Sequence, residues 1–210
     1  SGTAGDRGWS ELSRIDAGSW HSAAYAGEPL PSLANVAAFL RRNAFALDLE
    51  IKPTPGTEPA TGAAVAEEVA RLWHHDALSP LLSSFSPEAL LSAQQAAPQL
   101  RRALLIDSLR PDAFDLALQL GCVALITNHK LMDGPLIARI HDAGLRALVY
   151  TVNDPDRARV LTGLGIDGIV TDAVDRSEPE PWPVRDAGAS PGLSRPRLPQ
   201  HLPPRQRQEA

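Results

Sequence analysis

Aliphatic and charged residues alternate along Leu47-Asp48-Leu49-Glu50-Ile51-Lys52, three apolar side chains to one face and three charges to the other. That alternation predicts a short strand ending at Pro53. Beyond it, short apolar runs at residues 81–85, 102–106, 122–127, 146–152 and 168–171 read as further strands. Stretches with helical spacing separate them. Ser32 caps a helix to about residue 42, with Leu33, Val36, Ala37 and Leu40 on one face. A Pro/Gly loop over residues 53–62 follows, and Thr61 is read as the cap of a helix carrying Val65, Val69, Leu72 and Trp73. Ser86-Pro87, Asp133-Gly134-Pro135 and Asp154-Pro155 open later helices, another is predicted over residues 111–120, and Gly144 and Gly165 stop two of them.

Strand and helix thus alternate in serial βα units, about six in all, which predicts an α/β fold of TIM-barrel type, (β/α)8 but incomplete. A doubly wound open sheet is the alternative. It would gather ligand contacts at one switch point, and no Gly-rich phosphate loop is present to supply them. Residues 32–176 are the predicted barrel region. Residues 1–31 form an irregular arm with Gly-rich turns, an aromatic cluster (Trp9, Trp20, Tyr25) and one helical candidate at residues 9–15. Residues 177–210, rich in proline and arginine and without period, are predicted to be a disordered tail.

Charge and composition narrow the partners. The net charge of −5 gives no electrostatic case for nucleic acid or an anionic membrane. A single cysteine, Cys122, excludes an internal disulfide and fits a reducing, cytoplasmic setting. No apolar run reaches the roughly 18 residues of a membrane span. The chain opens on Ser1, so its start does not decide whether a signal peptide precedes it.

Parallel strands in α/β folds are buried on both faces. An acid and a base two residues apart on such a strand would be costly unless paired, metal-bound or open to a solvated site. Glu50 and Lys52 therefore head the functional candidates. Only Lys52 and Lys130 are lysines in a chain that otherwise chooses arginine, which points to a need for a compact point charge. In a parallel barrel the chemistry lies where strands end. Those ends supply Glu50, Lys52, Ser84, Phe85, Asp107, Asn128, His129, Tyr150, Asn153, Thr171 and Asp172.

Each has a plainer reading. Glu50 and Lys52 can pair with each other, Asp48 is expected to be a structural hydrogen-bond partner one layer deeper, and Tyr150 divides between strand packing and substrate stacking. His129 reads as a solvated loop residue. His74 and His75 end a helix, where a cation suits the dipole. His21 has no nucleophile to pair with. No Ser/His/Asp or Cys/His arrangement and no zinc spacing can be assembled.

The ordered set Leu49-Glu50-Ile51-Lys52-Pro53, Leu82-Ser83-Ser84-Phe85-Ser86-Pro87, Val149-Tyr150-Thr151-Val152-Asn153 and Gly165-Ile166-Asp167-Gly168-Ile169-Val170-Thr171-Asp172 resembles the glycerophosphodiester phosphodiesterase family. Ahead of it, Asp16-Ala17-Gly18-Ser19-Trp20 and Gly27-Glu28-Pro29-Leu30-Pro31-Ser32-Leu33 are similar to the end of that family's inserted segment. The resemblance spans about residues 9–175. It implies a TIM barrel that hydrolyses glycerophosphodiesters to an alcohol and glycerol 3-phosphate, with a divalent metal, Ca²⁺ or Mg²⁺, and a histidine pair for acid–base work.

On this chain the resemblance makes Glu50 a metal-binding carboxylate and Lys52 a phosphate contact. Tyr150 stands where the family often has a tryptophan beside the glycerol moiety. The family's His-Arg-Gly strand, Glu-Asn-Thr turn, Glu-x-Asp ligands and His-Asp segment do not occur in residues 1–210. The expectation is an amino-terminally truncated member: two strands and both catalytic histidines would precede Ser1. About 175 residues without the tail also fall short of the roughly 200 to 250 of a full barrel. Such a fragment is expected to lack activity alone and to self-associate through its exposed strand edges. A non-catalytic remnant that binds a phosphate ester or a partner is the alternative function. Lys52 as a Schiff-base nucleophile is a third reading, opposed by Glu50 on the same face, which would raise the lysine pKa.

Overall fold

A computed structural model describes residues 4–74, 76 and 78–173. His75 and the tail expected over residues 177–210 lie outside the described residues.

Six strands, β1 (Asp48–Glu50), β2 (Leu81–Ser84), β3 (Arg101–Ile106), β4 (Ala124–Asn128), β5 (Arg146–Tyr150) and β6 (Gly168–Ile169), pair in chain order and all in parallel. The sheet curls into a half-barrel with β1 and β6 at its two ends. Helices join successive strands across its outer side, as parallel pairing requires. In order these are α1 (Trp9–Leu12) in the arm, α2 (Leu33–Arg42) before the sheet, and then α3 (Glu58–Leu72), α4 (Pro87–Ala96), α5 (Ala113–Gln119), α6 (Gly134–Asp142) and α7 (Pro155–Gly163).

Their ends follow the capping chemistry of the sequence. Ser32, Ser86, Asp133 and Asp154 accept hydrogen bonds from the N–H groups of Asn35, Ala89, Leu136 and Asp156. Gly144 and Gly165 leave α6 and α7 at φ of 76° and 90°, a region closed to most L-residues. The start of α3 corrects the reading of Thr61 as a cap. The helix begins one turn earlier, after Thr57, with Pro59 in its first turn, and the Thr61 hydroxyl meets that of Thr57 at 3.1 Å. Gly62 therefore lies inside a helix rather than at the end of a loop.

Alternation sorts each strand's side chains. Leu82, Leu104, Leu125, Ala147 and Val149 point outward and are buried under the helices, in two clusters that also hold Val69, Leu90, Ile140 and Leu161. Ala103, Leu105, Ala124 and Ile126 form a smaller cluster on the inner face, with Leu81, Leu148 and Tyr150 packed against it. The buried Arg102 lies under the outer face and donates only to main-chain carbonyls: Leu120 at 3.1 Å, Leu100 at 2.5 Å, Pro98 at 3.4 Å and Gly121 at 3.3 Å.

In the arm, the Asp16 carboxylate gathers the N–H groups of Gly18, Ser19 and Gly27 and the Ser19 hydroxyl, and these bonds hold its pKa well below the ordinary carboxylate range. Among the described residues no helix is long and apolar enough to cross a membrane.

Candidate active site

The predicted candidates come together at the carboxyl-terminal ends of the strands. Parallel register sets Glu50 beside Ser83 and Asn128 beside Tyr150. Glu50 and Lys52 line a cleft of about 400 Å³ together with Phe85, Ser86, Glu58 and Glu88. The Tyr150 ring meets Phe85 edge to face at 5.7 Å, and its hydroxyl donates to the Ile106 carbonyl at 3.1 Å. Burial and the negative charges of Asp107 and Glu50 raise the Tyr150 pKa, so those carboxylates act across the same mouth.

One expectation about the opening strand is corrected and one alternative reading of it is removed. Burial on both faces holds for Ile51 alone; Asp48, Glu50 and Lys52 are exposed. β1 is an end strand, so the inner face beside it opens to solvent while the outer face is covered by α2, α3 and α4. Glu50 and Lys52 also do not neutralise each other: among the described residues neither forms an ion pair. The cleft therefore holds an acid and a base that are both available. Asp48 behaves as the structural hydrogen-bond partner expected of it: burial and the charge of Glu50 raise its pKa, and a hydrogen bond from the Ser83 hydroxyl lowers it.

The remaining candidates divide. Asn153 clasps the end of β6, accepting from the Thr171 hydroxyl at 3.1 Å and the Asp172 N–H at 2.9 Å, and its amide donates to the Asp172 carboxylate at 3.2 Å. His129 is half-buried rather than solvated. Its Nδ1 is buried without a partner, and desolvation together with Arg157 and Lys130 lowers its pKa. His21 lies in the arm, edge-on to Trp20 and Tyr25. His74 follows the carboxyl end of α3, remote from the mouth.

Sequence reasoning did not foresee the role of the adjacent serines Ser83 and Ser84. Both are buried. The Ser84 hydroxyl donates to the Ile51 carbonyl at 2.6 Å and accepts from the Ser86 N–H at 3.0 Å, tying the end of β1 to the start of α4. Two serines in an otherwise aliphatic strand were the available signal. Ser84→Ala is expected to lower stability by about 2 kcal/mol, because the Ile51 carbonyl and the partly buried Ser86 N–H lose their partner; a chemical denaturation midpoint equal to that of the wild type would contradict this.

A sequence model of the glycerophosphoryl diester phosphodiesterase family matches residues 2–176. The chain belongs to that family. A phosphodiesterase from Oleispira antarctica, solved in complex with the product sn-glycerol-3-phosphate, superposes with a TM-score of 0.75 at 28% identity, over 82% of this chain and 69% of that one. A glycerophosphodiester phosphodiesterase from Agrobacterium tumefaciens gives 0.62 at 25% identity, over 78% and 67%. The glycerophosphodiester phosphodiesterase of Caldanaerobacter subterraneus is 25% identical over 166 residues, 77% of this chain and 66% of the relative. The chain thus spans about two thirds of the length of these relatives.

The family is one of phosphoric diester hydrolases, and the half-barrel is the family's TIM-barrel-like fold. Among the described residues no three His, Cys, Asp or Glu side chains gather into a metal cage. Oxygen donors are nonetheless close together at this end of β1: the carboxylates of Asp48 and Glu50 share the inner face, beside the buried Ser83 hydroxyl. That set fits part of the oxygen shell of Ca²⁺ or Mg²⁺.

Proposed function

We propose that this chain supplies the phosphate-binding and glycerol-binding part of a metal-dependent glycerophosphodiester phosphodiesterase site. The observation that carries the reading is the cleft in which Glu50 and Lys52 lie exposed and free of each other, with Phe85 and Tyr150 across the mouth. Lys52 binds the phosphate as a compact cation. Tyr150 offers a ring edge-packed on Phe85 to the glycerol carbons, while its hydroxyl is held by Ile106 and keeps the ring in place. Glu50 would hold a Ca²⁺ or Mg²⁺ ion, which when bound neutralises phosphate charge. The product held by the Oleispira antarctica relative, sn-glycerol-3-phosphate, is the ligand this arrangement suits.

Proton transfer is what the described residues do not supply. Attack on a phosphodiester needs one group to take a proton and another to protonate the leaving alcohol. Among the described residues His129 is the single histidine near the strand ends, and desolvation together with the charges of Arg157 and Lys130 lowers its pKa, which disfavours the protonated form that would serve the leaving alcohol. Residues 1–210 are therefore expected to bind glycerol 3-phosphate and to leave glycerophosphocholine intact.

Calorimetry with sn-glycerol 3-phosphate in Ca²⁺ buffer, run beside a choline-release assay, tests both halves. Binding that weakens about tenfold in Lys52→Ala, the loss of one charge-assisted contact, is the expected result. Release of choline above the metal-only background would refute the expected inactivity. Equal binding by Lys52→Ala would refute the assignment of Lys52.

A further inference from the structure

The arm carries a hollow of its own, about 330 Å³, lined by Ala17, Gly18, His21, Tyr25, Glu28 and Pro29. None of these residues lines the cleft at Glu50 and Lys52. The loop that forms it is fastened by its own main chain and side chains. Asp16 gathers the N–H groups of Gly18, Ser19 and Gly27, the Ala17 N–H donates to the Glu28 carbonyl at 2.7 Å, and the Trp20 Nε1 donates to the Ala17 carbonyl at 2.8 Å. Gly18 packs so closely that a β-carbon there would sit 2.0 Å from the Tyr25 carbonyl oxygen. A loop held in this way sets its side chains before a ligand arrives, which lowers the cost of binding.

The walls of the hollow are aromatic and acidic. The His21 and Tyr25 rings meet at 86° with centroids 5.1 Å apart, a corner rather than a stack, and Trp20 meets His21 at 84° and 5.8 Å. Tyr25 is 51% exposed, so its ring is open to a ligand, and a ring presents the negative side of its quadrupole from its face. The Glu28 carboxylate forms no ion pair among the described residues. No lysine or arginine occurs between Arg14 and Arg41, so nothing within this stretch of chain offsets the charges of Asp16 and Glu28.

Aromatic faces beside an unpaired carboxylate favour an organic cation, whose alkyl groups cover the rings while its charge faces the acid. An anion would be repelled. A hard metal ion would find a single carboxylate in the lining, too few donors to replace its water. We propose that the arm binds a quaternary ammonium group between Tyr25, His21 and Glu28. The proposal goes beyond the phosphate cleft and does not rest on the roles read for Glu50 and Lys52.

Choline chloride is the probe, titrated calorimetrically into the 210-residue chain at constant ionic strength, with its uncharged carbon isostere, dimethylbutanol, as the comparison. The wild type is expected to bind choline with Kd of about 1–10 mM, as suits one open cation–π contact and one screened charge, and to bind the alcohol about fivefold more weakly or worse. Tyr25→Leu and Glu28→Gln should each weaken choline binding about fivefold, whereas Tyr25→Phe keeps the ring and should stay within about twofold of the wild type. Glu50→Gln, in the cleft, should leave choline binding unchanged. Glycerophosphocholine separates the two sources of such a group. Affinity equal to that of choline assigns the site to a free base, and tighter binding that both Lys52→Ala and Tyr25→Leu weaken assigns it to a headgroup carried on a diester.

Equal affinity for choline and the alcohol would make the hollow a plain apolar one and overturn the proposal. Wild-type affinity in both Tyr25→Leu and Glu28→Gln would overturn it too, as would loss of choline binding in Glu50→Gln, which would put the cation in the cleft. No choline uptake by the wild type at about 100 mM, tenfold above the expected range, would leave the arm without this site.

Discussion

Arg102→Ala is expected to destabilise the protein by about 4 kcal/mol, because it strips four main-chain carbonyls of a charged donor and opens a void under the sheet. The guanidinium has no carboxylate partner among the residues it bonds. Leu100 and Pro98 come from the loop between α4 and β3, and Leu120 and Gly121 from the end of α5. Those last carbonyls sit at the negative pole of a helix, where a cation is favoured. Arg102 therefore fastens two loops at the end of the half-barrel opposite the cleft. Desolvation lowers its pKa, but an arginine starts high enough to stay charged at any working pH.

Lysine cannot reproduce the planar fork, so Arg102→Lys should recover only about half of the loss. For a domain of this size 4 kcal/mol corresponds to a drop in melting midpoint of roughly 10 °C. Denaturant titration of both variants checks the order wild type, lysine, alanine. An alanine variant within about 1 kcal/mol of wild type would show that the carbonyls find water instead.

Arginine at the start of a buried strand was visible in the sequence as a strand boundary and nothing more. The same limit runs through the chain. Period-two and period-3.6 patterns located every strand and helix of the half-barrel because they record which face of each element is covered. Strand ends shifted by a few residues, as at β4, predicted over residues 122–127 and found at Ala124–Asn128, because main-chain pairing with the neighbouring strands decides them. What alternation along β1 could not tell was how much water reaches its inner face. That depends on β1 standing at an end of the sheet, a property of the whole topology.

The site was legible to the same depth. Glu50 and Lys52 stood out as charges on a strand, and both line the cleft. Whether they would pair was not readable, since it depends on side-chain directions at neighbouring rungs. Ser83 and Ser84 look identical in sequence. Alternation turns one hydroxyl to the inner face, toward Asp48, and the other outward, where it bonds the Ile51 carbonyl. A one-residue offset thus sends two identical side chains to opposite faces of one strand.

Gly62→Ala is expected to cost about 3 kcal/mol, although alanine is the better helix former by about 1 kcal/mol. Gly62 lies in α3, and a β-carbon there would overlap the main-chain carbonyl of Ala89 in α4. Backbone, unlike a flexible side chain, cannot step aside, so the two helices would have to separate along their contact. Gly163 in α7 is the control: a β-carbon there meets nothing within 4 Å, so Gly163→Ala should be neutral or stabilising by up to about 1 kcal/mol. Equal stability of the two variants would show that α3 and α4 are free to spread. The displacement would also reach the cleft, since Glu58 at the start of α3 and Pro87 at the start of α4 both line it. Gly62→Ala should therefore weaken glycerol 3-phosphate binding as well as stability, whereas Arg102→Ala, at the opposite end of the strands, should lower stability and spare binding in the protein that remains folded.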